Sequence, residues 1–228
     1  MKKLINTTFK EFYRINELVA HISPMRTHYQ SSNPVEKIIW RKKLDCMSEL
    51  LSSIDYQTVL DVGCGDGGLL ETVNPTASYT GVDISPTQLK SFRKHLKQSP
   101  EIHSGQVKLL CHDATHLPFK THSFDLILAC DVLEHVLNPE LLLKQIDRLV
   151  KPGGHVLIGI PNEPLWEVLR TVIGRWPPRS PDHIFYMEPA DITNVSESLR
   201  ILSKTHLPFT FFPLITLVFA QKDTSRKS

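Results

Sequence analysis

Four ionisable side chains in this sequence could move a proton or hold a metal ion. Asp131, Glu134 and His135 follow a predicted strand, and His183 lies in a later, proline-rich segment. If residues 131–135 are helical, the first three side chains share one face. Histidine titrates near neutral pH, so His135, assisted by Glu134 and His183, could remove the proton of a bound hydroxyl group. Alternatively, the cluster could hold a divalent ion that lowers the pKa of that hydroxyl.

A glycine-rich turn offers a second site for chemistry. It follows a short apolar strand predicted near residues 58–63, and it contains Gly63, Cys64, Gly65 and Gly67. Glycine accepts a positive φ and lets a ligand approach the backbone closely. We expect a helix near residues 67–74 whose N-terminal N–H groups face the ligand. The turn therefore predicts a cofactor site.

Asp61, at the end of this strand, indicates which cofactor the turn holds. A carboxylate here would repel the pyrophosphate of NAD but attract the ammonium group of S-adenosylmethionine (SAM). A second strand, predicted near residues 79–84, ends in Asp83. It follows the glycines by about 20 residues, where a carboxylate can bind both hydroxyls of a ribose. The two acids together favour SAM.

Six short motifs occur in order along the chain. They are Asp61–Gly67, Gly81–Ser85, Asp113–Phe119, Ser123–Ile127, Leu133–Val136 and Leu149–Gly154. The ordered set resembles the motif series of class I SAM-dependent methyltransferases over about residues 34–222. The stretch from Asp131 to His135 is also similar to the metal-site pattern of ubiquinone-biosynthesis O-methyltransferases, with Asp131 in place of a glutamate.

The resemblance implies an α/β fold with a doubly wound, Rossmann-like sheet of seven strands and helices on both faces. The sheet is expected to be mostly parallel, with an antiparallel last strand. The sequence agrees, because strand and helix patterns alternate up to Asn162. Strands are predicted near 58–63, 79–84, 107–112, 124–130, 155–160, 200–211 and 214–221, and helices near 67–74, 86–97, 139–150 and from Pro34. A turn at Phe212–Pro213 is expected to join the last two strands.

In an open α/β sheet, ligands bind beyond the carboxyl ends of the strands. This rule brings the ends of the first four strands around one pocket. Within it, Asp113 suits the adenine amino group, Ala114 offers a backbone N–H to a ring nitrogen, and Ile84 packs on the ring. Cys130, at the end of the fourth strand, completes the predicted cofactor set.

The pattern divides the chain into three parts. Residues 1–33 form an N-terminal segment, residues 34–222 the methyltransferase-like domain, and residues 223–228 a polar tail. Within the domain, residues 163–190 form an insertion that we expect to cover an acceptor. Its aromatic residues suit apolar walls and its arginines an anionic group, namely Trp166, Trp176, Phe185, Tyr186, Arg170, Arg175 and Arg179.

The predicted activity is SAM-dependent methyl transfer to a small-molecule or lipid-like acceptor, with O-methylation favoured because the acid–base cluster suits a hydroxyl group. Two alternatives stay open. The same cluster suggests an RNA ribose 2′-O-methyltransferase, and a glycine turn alone is compatible with a non-catalytic SAM-binding subunit. The formal net charge of +2 argues against a nucleic-acid partner. The sequence leaves the oligomeric state open.

The cysteines and the apolar segments indicate where in the cell the protein is found. Four scattered cysteines without a C-x-x-C pair, and no apolar leader after the first lysines, predict a reduced, cytoplasmic protein. The longest apolar run, residues 207–220, is too short to span a bilayer, which leaves peripheral contact as the membrane option. Lys37, Arg41, Lys42 and Lys43 are expected to form a solvated helix face, with lipid-headgroup contact as the alternative.

Overall fold

A seven-stranded sheet forms the centre of the molecule. The computed structural model describes residues 1–3, 8–22, 33–99, 101, 105–180 and 182–224. The strands of the sheet are β2 (Thr58–Val62), β3 (Ser78–Asp83), β4 (Val107–Cys111), β5 (Phe124–Cys130), β6 (Val150–Pro161), β8 (Leu199–Phe209) and β9 (Phe212–Lys222). Two short strands, β1 (Lys2–Lys3) and β7 (Phe185–Tyr186), pair with each other. Residues 4–7 and 23–32 of the predicted N-terminal segment and residues 225–228 of the predicted tail lie outside the described residues.

The strand directions confirm the predicted doubly wound, Rossmann-like sheet, whose order is β4-β3-β2-β5-β6-β9-β8. The first five of these strands are parallel. The last strand, β9, is antiparallel and lies between β6 and β8. The turn before β9 lies at residues 210–211, two residues earlier than predicted, because Phe209 already pairs with Phe212.

Helices cover both faces of the sheet. They are α1 (Phe9–Ile22), α2 (Pro34–Ser52), α3 (Pro86–Gln98), α4 (Pro139–Leu149), α5 (Glu163–Val172) and α6 (Pro189–Val195). Alternate residues of β5 enter two separate buried clusters, Leu126 and Leu128 in one and Ile127 and Ala129 in the other, so the core has a layer on each face. Over the part of the chain that the structure describes, none of the helices has the length and apolar character that a bilayer crossing requires.

Two helical features differ from the prediction. The helix predicted near residues 67–74 is only a 3₁₀ turn at Leu70–Thr72, because Gly67 holds a positive φ of 86° and the chain is extended again at Val73. The helix dipole expected at the glycine turn is therefore not formed by this stretch. Conversely, α5 continues the alternation into the predicted insertion, because the Asn162 side chain caps its first turn and a proline follows.

Candidate active site

One large cavity opens at the carboxyl ends of the parallel strands. Its volume is about 690 Å³. Gly63 after β2, Asp83 at the end of β3, Asp113 after β4 and Asp131 after β5 line one side of it. Residues of α1, α2, α5 and the segment after α5 line the rest. This volume accommodates a nucleoside-bearing cofactor together with a small second ligand.

The glycines after β2 divide into two groups. Gly63 and Gly65 line the cavity with φ values of 73° and 52°. A Cβ at Gly63 would lie 2.5 Å from Val132 Cγ2, so no larger residue fits there. A Cβ at Gly67 would instead lie 2.3 Å from the ring of Phe92, in the core. The first two glycines keep the backbone open to a ligand, whereas the third admits a core side chain.

Asp83 is fixed in the cavity wall beside this turn. Its Oδ2 accepts a hydrogen bond from the backbone N–H of Gly65 (2.8 Å), and its Oδ1 accepts one from that of Ser85 (2.8 Å). Burial raises the pKa of the Asp83 carboxyl, and the two N–H donors offset part of this shift. Each carboxylate oxygen retains capacity for a further hydrogen bond, so the group can accept both hydroxyls of a diol.

Four residues of the predicted cofactor set do not line the cavity, namely Asp61, Cys64, Gly67 and Cys130. The buried Asp61 carboxylate accepts a hydrogen bond from the Tyr79 hydroxyl (2.5 Å), and its contact with an ammonium group stays a prediction. Its Oδ1 has no hydrogen-bond partner among the described residues. Burial raises the pKa of Asp61 to about 7. Burial also raises the pKa of both cysteine thiols, which face the core.

Asp113, Ala114 and Ile84 lie together in the wall formed by the ends of β3 and β4. The Oδ1 atom of Asp113 accepts hydrogen bonds from the backbone N–H and the hydroxyl of Thr115, both at 2.8 Å. These bonds fix the carboxylate and leave Oδ2 with acceptor capacity. The three residues thus give this part of the wall an apolar surface beside one carboxylate oxygen that can accept a hydrogen bond.

Two histidines meet in the cavity wall. His135, on the 3₁₀ turn Leu133–His135, and His183 have ring centroids 4.6 Å apart. The Oδ2 atom of Asp182 lies 3.2 Å from His135 Nδ1, and the Asp182 carbonyl oxygen lies 3.1 Å from the same nitrogen. His135 Nε2 lies 3.9 Å from Glu134 Oε1. This network assigns the proton to Nδ1 and leaves Nε2 as an acceptor.

The charges in this cluster set its pKa values. Burial lowers the pKa of His135, but the carboxylates of Asp182 and Glu134 outweigh burial and raise it overall. Burial raises the pKa of Glu134 against the opposing effect of the two histidines. Burial also acts on Asp182, but its histidine neighbours outweigh that effect and lower its pKa. The His135 ring is therefore a stronger base than an unperturbed histidine.

Helix α5 anchors the second histidine. His183 Nδ1 lies 2.8 Å from Glu163 Oε1, and Glu163 also pairs with Arg170 at 3.2 Å. Burial would raise the pKa of Glu163, but these partners outweigh it and lower that pKa. Trp166 of the same helix stacks on Trp40 of α2 with ring centroids 5.9 Å apart, which forms an apolar wall. A helix that the sequence pattern did not reveal thus positions a predicted catalytic residue.

Asp131 departs from the predicted cluster. It has a positive φ of 53°, and its carboxylate pairs with Lys43 of α2, whose side chain is fully buried. The helix considered for residues 131–135 is only a 3₁₀ turn, so Asp131 does not join the other three side chains. The solvated position predicted for Lys43 is wrong, whereas the other three basic residues of that group are exposed as predicted.

The remaining three side chains form a small set of possible metal ligands. Ligand atoms of Glu134, His135 and His183 all lie within 4.8 Å of one another. Mg²⁺ prefers an octahedral set of oxygen ligands, and the cluster offers one carboxylate because Asp131 is paired with Lys43. Both histidines also direct Nδ1 to protein carboxylates. The cluster therefore fits proton transfer better than magnesium binding.

The arginines of the insertion line the cavity, but each already has an acidic partner. The pairs are Arg170 with Glu163, Arg175 with Glu36, and Arg179 with Glu167. The positive charge expected to bind an anionic acceptor is therefore largely compensated. Trp166 and Trp176 line the cavity as predicted, whereas Phe185 and Tyr186 do not.

Helix α1 supplies a cavity wall that the sequence analysis missed. Phe12, Asn16 and Val19 line the cavity, and Glu17 accepts a hydrogen bond from the Thr87 hydroxyl at 2.9 Å. The three lining residues follow the i, i+4, i+7 spacing of one helix face. That spacing was a readable signal in the N-terminal segment.

Comparison with known proteins identifies the family. The methyltransferase domain family matches residues 60–158. A ubiquinone biosynthesis O-methyltransferase of Coxiella burnetii is 31% identical over 160 residues, which are 66% of this chain and 67% of the relative. The chain belongs to the class I SAM-dependent methyltransferases. Another ubiquinone biosynthesis O-methyltransferase, of Nitrosomonas europaea, is 25% identical over 228 residues and is matched over 97% of this methyltransferase and 94% of its own length.

Solved structures share the fold of this methyltransferase. Magnesium protoporphyrin IX methyltransferase from Synechocystis PCC 6803, with bound S-adenosylhomocysteine, has a TM-score of 0.69 and 18% identity over 93% of this chain and 100% of that chain. The N-methyltransferase NodS from Bradyrhizobium japonicum WM9, with the same ligand, has a TM-score of 0.65 and 18% identity over 92% and 98%.

SAM is the cofactor of this methyltransferase, and the cavity residues suit it. The open backbone at Gly63 and Gly65, the fixed carboxylate of Asp83 and the acceptor edge of Asp113 match a nucleoside with a charged tail. The Oδ1 atom of Asp61, which has no hydrogen-bond partner among the described residues, retains acceptor capacity. When bound, SAM supplies a methyl group on a positively charged sulfur.

Proposed function

We propose that this methyltransferase acts on a hydroxyl oxygen of a small, largely apolar acceptor. The observation that carries the proposal is the His135 ring, held at Nδ1 by Asp182 in the wall of the cofactor cavity. An oxygen acceptor must lose its proton on methylation, whereas a neutral amine is already a nucleophile. A site that only bound SAM would have no use for this arrangement.

In this proposal, six of the predicted residues hold the cofactor directly: Gly63, Gly65, Asp83, Ile84, Asp113 and Ala114. Asp83 accepts the two ribose hydroxyls, because both of its oxygens have spare acceptor capacity. Asp113 accepts the adenine amino group, and the Ala114 N–H donates to a ring nitrogen. Ile84 packs against the ring.

The other four residues of the predicted cofactor set do not line the cavity, and in this proposal they support the cofactor site without touching the cofactor. Asp61, fixed by Tyr79, stabilises the ammonium group of the cofactor through its charge rather than by contact. Gly67 admits the ring of Phe92, which packs under the turn. Cys64 and Cys130 fill the core beneath it.

For the acceptor, we assign proton removal to His135 Nε2. Glu134 and Asp182 stabilise the imidazolium that results, since both carboxylates lie within 4 Å of the ring nitrogens. His183, fixed by Glu163, packs edge-on against the ring and keeps its orientation. The walls contribute the rest by positioning the acceptor and excluding water.

The chemistry of the walls and the names of the relatives support a small, lipid-like acceptor. The stacked pair Trp40 and Trp166 offers an aromatic surface, while the neighbouring arginines are neutralised by glutamates. Both relatives named above are ubiquinone biosynthesis O-methyltransferases. The RNA alternative is not favoured, because the net charge is +2 and the cavity arginines are paired. The non-catalytic alternative is not favoured, because Glu134, His135 and His183 lie together in the cavity wall and can remove a proton from an acceptor.

We assign residues 34–222 to the catalytic domain, with residues 163–190 as its acceptor wall. Glu163, His183 and Asp182 all belong to that insertion and all contact the catalytic cluster or its supports. Helix α1, in the segment before the domain, closes the cofactor side.

The proposal is tested by measuring methyl transfer from methyl-labelled SAM to oxygen and nitrogen acceptors of matched structure. Alkyl-substituted catechols and the anilines of the same carbon skeleton are incubated with the enzyme, and the products are identified by mass spectrometry. We expect methoxy products from the catechols and no incorporation into the same catechols with both hydroxyls already methylated. Methylation of the anilines alone, by an enzyme that binds SAM in a calorimeter, contradicts O-methylation.

A further inference from the structure

Two aromatic side chains project from the turn between β8 and β9. Phe211 is 86% exposed and Phe209 is 48% exposed. Their rings stack, with centroids 5.3 Å apart and planes at 6°. Single exposed apolar residues are common on protein surfaces, but a stacked pair at the end of a hairpin concentrates apolar area at one projecting point.

Helix α2 extends this apolar surface and adds a cation to it. Lys42 Nζ lies 4.7 Å from the centroid of the Phe209 ring. Val35 and Ile38, 42% and 57% exposed, share one side of α2 with Lys42 by their i, i+3, i+7 spacing. We call Val35, Ile38, Lys42, Phe209 and Phe211 the anchor patch.

The exposed charges in the first turns of α2 are positive, and the next exposed acid along the helix is Asp45. Lys37 and Arg41 are exposed on the same helix. Between residues 34 and 44 the one acid is Glu36, which is buried and paired with Arg175. Because the whole chain has a net charge of only +2, this concentration of positive charge is local.

The anchor patch lies on the same edge of the sheet as the cavity. Pro161, at the end of β6, lines the cavity and pairs with Ile215 of the antiparallel β9. The chain from Ile215 back to Phe211 therefore extends past that edge by up to roughly 14 Å, at about 3.4 Å per residue. Helix α2 also places Trp40 in the cavity wall. A surface that bound the anchor patch would face the cavity.

We propose that the anchor patch docks this enzyme on an anionic lipid bilayer. The two phenylalanine rings enter the boundary between headgroups and acyl chains, where aromatic side chains are favoured. Lys42, with Arg41 and Lys37, lies against the phosphate groups, which attract cations near the surface. A protein partner would need acidic groups to match these cations, whereas an anionic bilayer presents negative charge and apolar depth together. The docking does not depend on which atom the enzyme methylates.

Vesicle sedimentation of the full-length enzyme, without acceptor, tests the proposal. We expect the enzyme to sediment with mixed phosphatidylglycerol and phosphatidylcholine vesicles but not with phosphatidylcholine alone, and to be released by high salt. The double variant F209S/F211S and the charge reversal Lys42→Glu should each weaken partitioning by about tenfold or more. Matched controls are Leu202→Ser, an exposed leucine near the start of β8, and Lys90→Glu on α3, which should bind normally.

Binding of S-adenosylhomocysteine shows that each variant is folded, because none of these positions lines the cavity. The single variant Phe211→Ser serves if the double variant fails that check, since its side chain is almost fully exposed. Unchanged sedimentation of a folded Phe211→Ser variant overturns the proposal, and so does an absence of binding to anionic vesicles. A concentration-dependent dimer that the phenylalanine substitutions dissolve would assign the anchor patch to a second copy instead. None of these results depends on finding an acceptor.

Discussion

Carboxylates at the two edges of the central sheet are held in different ways. At the amino end of β5, Asp125 accepts hydrogen bonds from two backbone N–H groups and the Thr58 hydroxyl, and it pairs with Lys151 at 2.7 Å. These partners outweigh burial and lower the pKa of Asp125 to about 2. At the opposite edge, burial raises the pKa of Asp61 to about 7 and raises that of Asp83 as well.

This contrast separates stability from function within one sheet. An acid whose partners are complete stabilises the fold in its charged form. An acid with a raised pKa and spare acceptor capacity is costly to bury, and such groups concentrate where a ligand supplies the missing donors. Substitutions at the cavity edge should therefore change catalysis or binding, and those at the amino edge should change folding.

The largest expected effect is at His135. His135→Ala should lower kcat by about 10²–10⁴-fold, the usual range for a lost acid–base group, while SAM affinity changes little. The matched control is His155→Ala, in the middle of β6, where the ring packs on Phe219 and does not line the cavity. Steady-state kinetics on both variants gives the comparison. A His135→Ala enzyme within a few-fold of the parent would mean that positioning alone drives the reaction and would favour a nitrogen or carbon acceptor.

Asp83 should give the next largest effect, on cofactor binding. Asp83→Ala should weaken SAM affinity by about 2–3 kcal/mol, roughly 30- to 150-fold, because charge-assisted bonds to the ribose are lost. The loss includes a smaller part from Gly65, whose N–H loses its acceptor. Calorimetric titration measures the change, with thermal unfolding as the fold control. An unaltered dissociation constant would place the ribose elsewhere.

The effect of Asp182 on His135 can be tested through the pH dependence of activity. The His135 ring must be unprotonated to accept a proton, so activity should rise as pH increases through its pKa. Asp182 helps to raise that pKa, so Asp182→Asn should move the acidic limb of the kcat/KM profile to lower pH, with a smaller loss of rate than His135→Ala. The conservative variant Asp182→Glu should restore the limb towards the parent position. An acidic limb that stays in place in Asp182→Asn would show that another group titrates.

At the amino edge, Asp125→Asn should affect folding and leave catalysis intact. The pKa of Asp125 is lowered from 3.8 to about 2, so its charge stabilises the fold above pH 3.8, and the contribution is lost as pH falls through about 2. Because Lys151 is 39% exposed, we discount the shift and expect a loss of about 1–2 kcal/mol at neutral pH. Urea unfolding at several pH values measures this, and the penalty should shrink towards pH 2. A fall in kcat of the folded variant would contradict the view that acids at the amino ends of the strands affect folding alone.

Local signals in the sequence were sufficient for the cofactor half of the site. Strand ends, alternating glycines and caps such as Ser85 act over a few residues, so the sequence alone predicts where Asp83 and Gly63 lie. The predicted helix after Gly67 failed because a core contact with Phe92, distant in sequence, keeps that glycine at positive φ.

The acceptor half depends on contacts between distant segments. Lys43 and Asp131 are 88 residues apart, and Asp182 reaches His135 across 47 residues. A run of basic residues on a helix predicts a solvated face when their acidic partners are unknown. The burial of Lys43 could not be predicted because its partner Asp131 is distant in sequence. The orienting role of Asp182 likewise has no periodic signal, since the residue lies in an irregular segment.

The smallest expected effect is that of a chelator. The resemblance to metal-site sequences depends on the first acid of the series, and in this chain that acid is Asp131, which is paired with the buried Lys43. The carboxylates that hold His135 and His183 occupy the Nδ1 atoms, so few ligand positions remain. We therefore expect EDTA to leave kcat unchanged and added Mg²⁺ to have no effect. Loss of activity in EDTA with recovery in Mg²⁺ would contradict this, and Lys43→Met would then show whether freeing Asp131 strengthens the metal dependence.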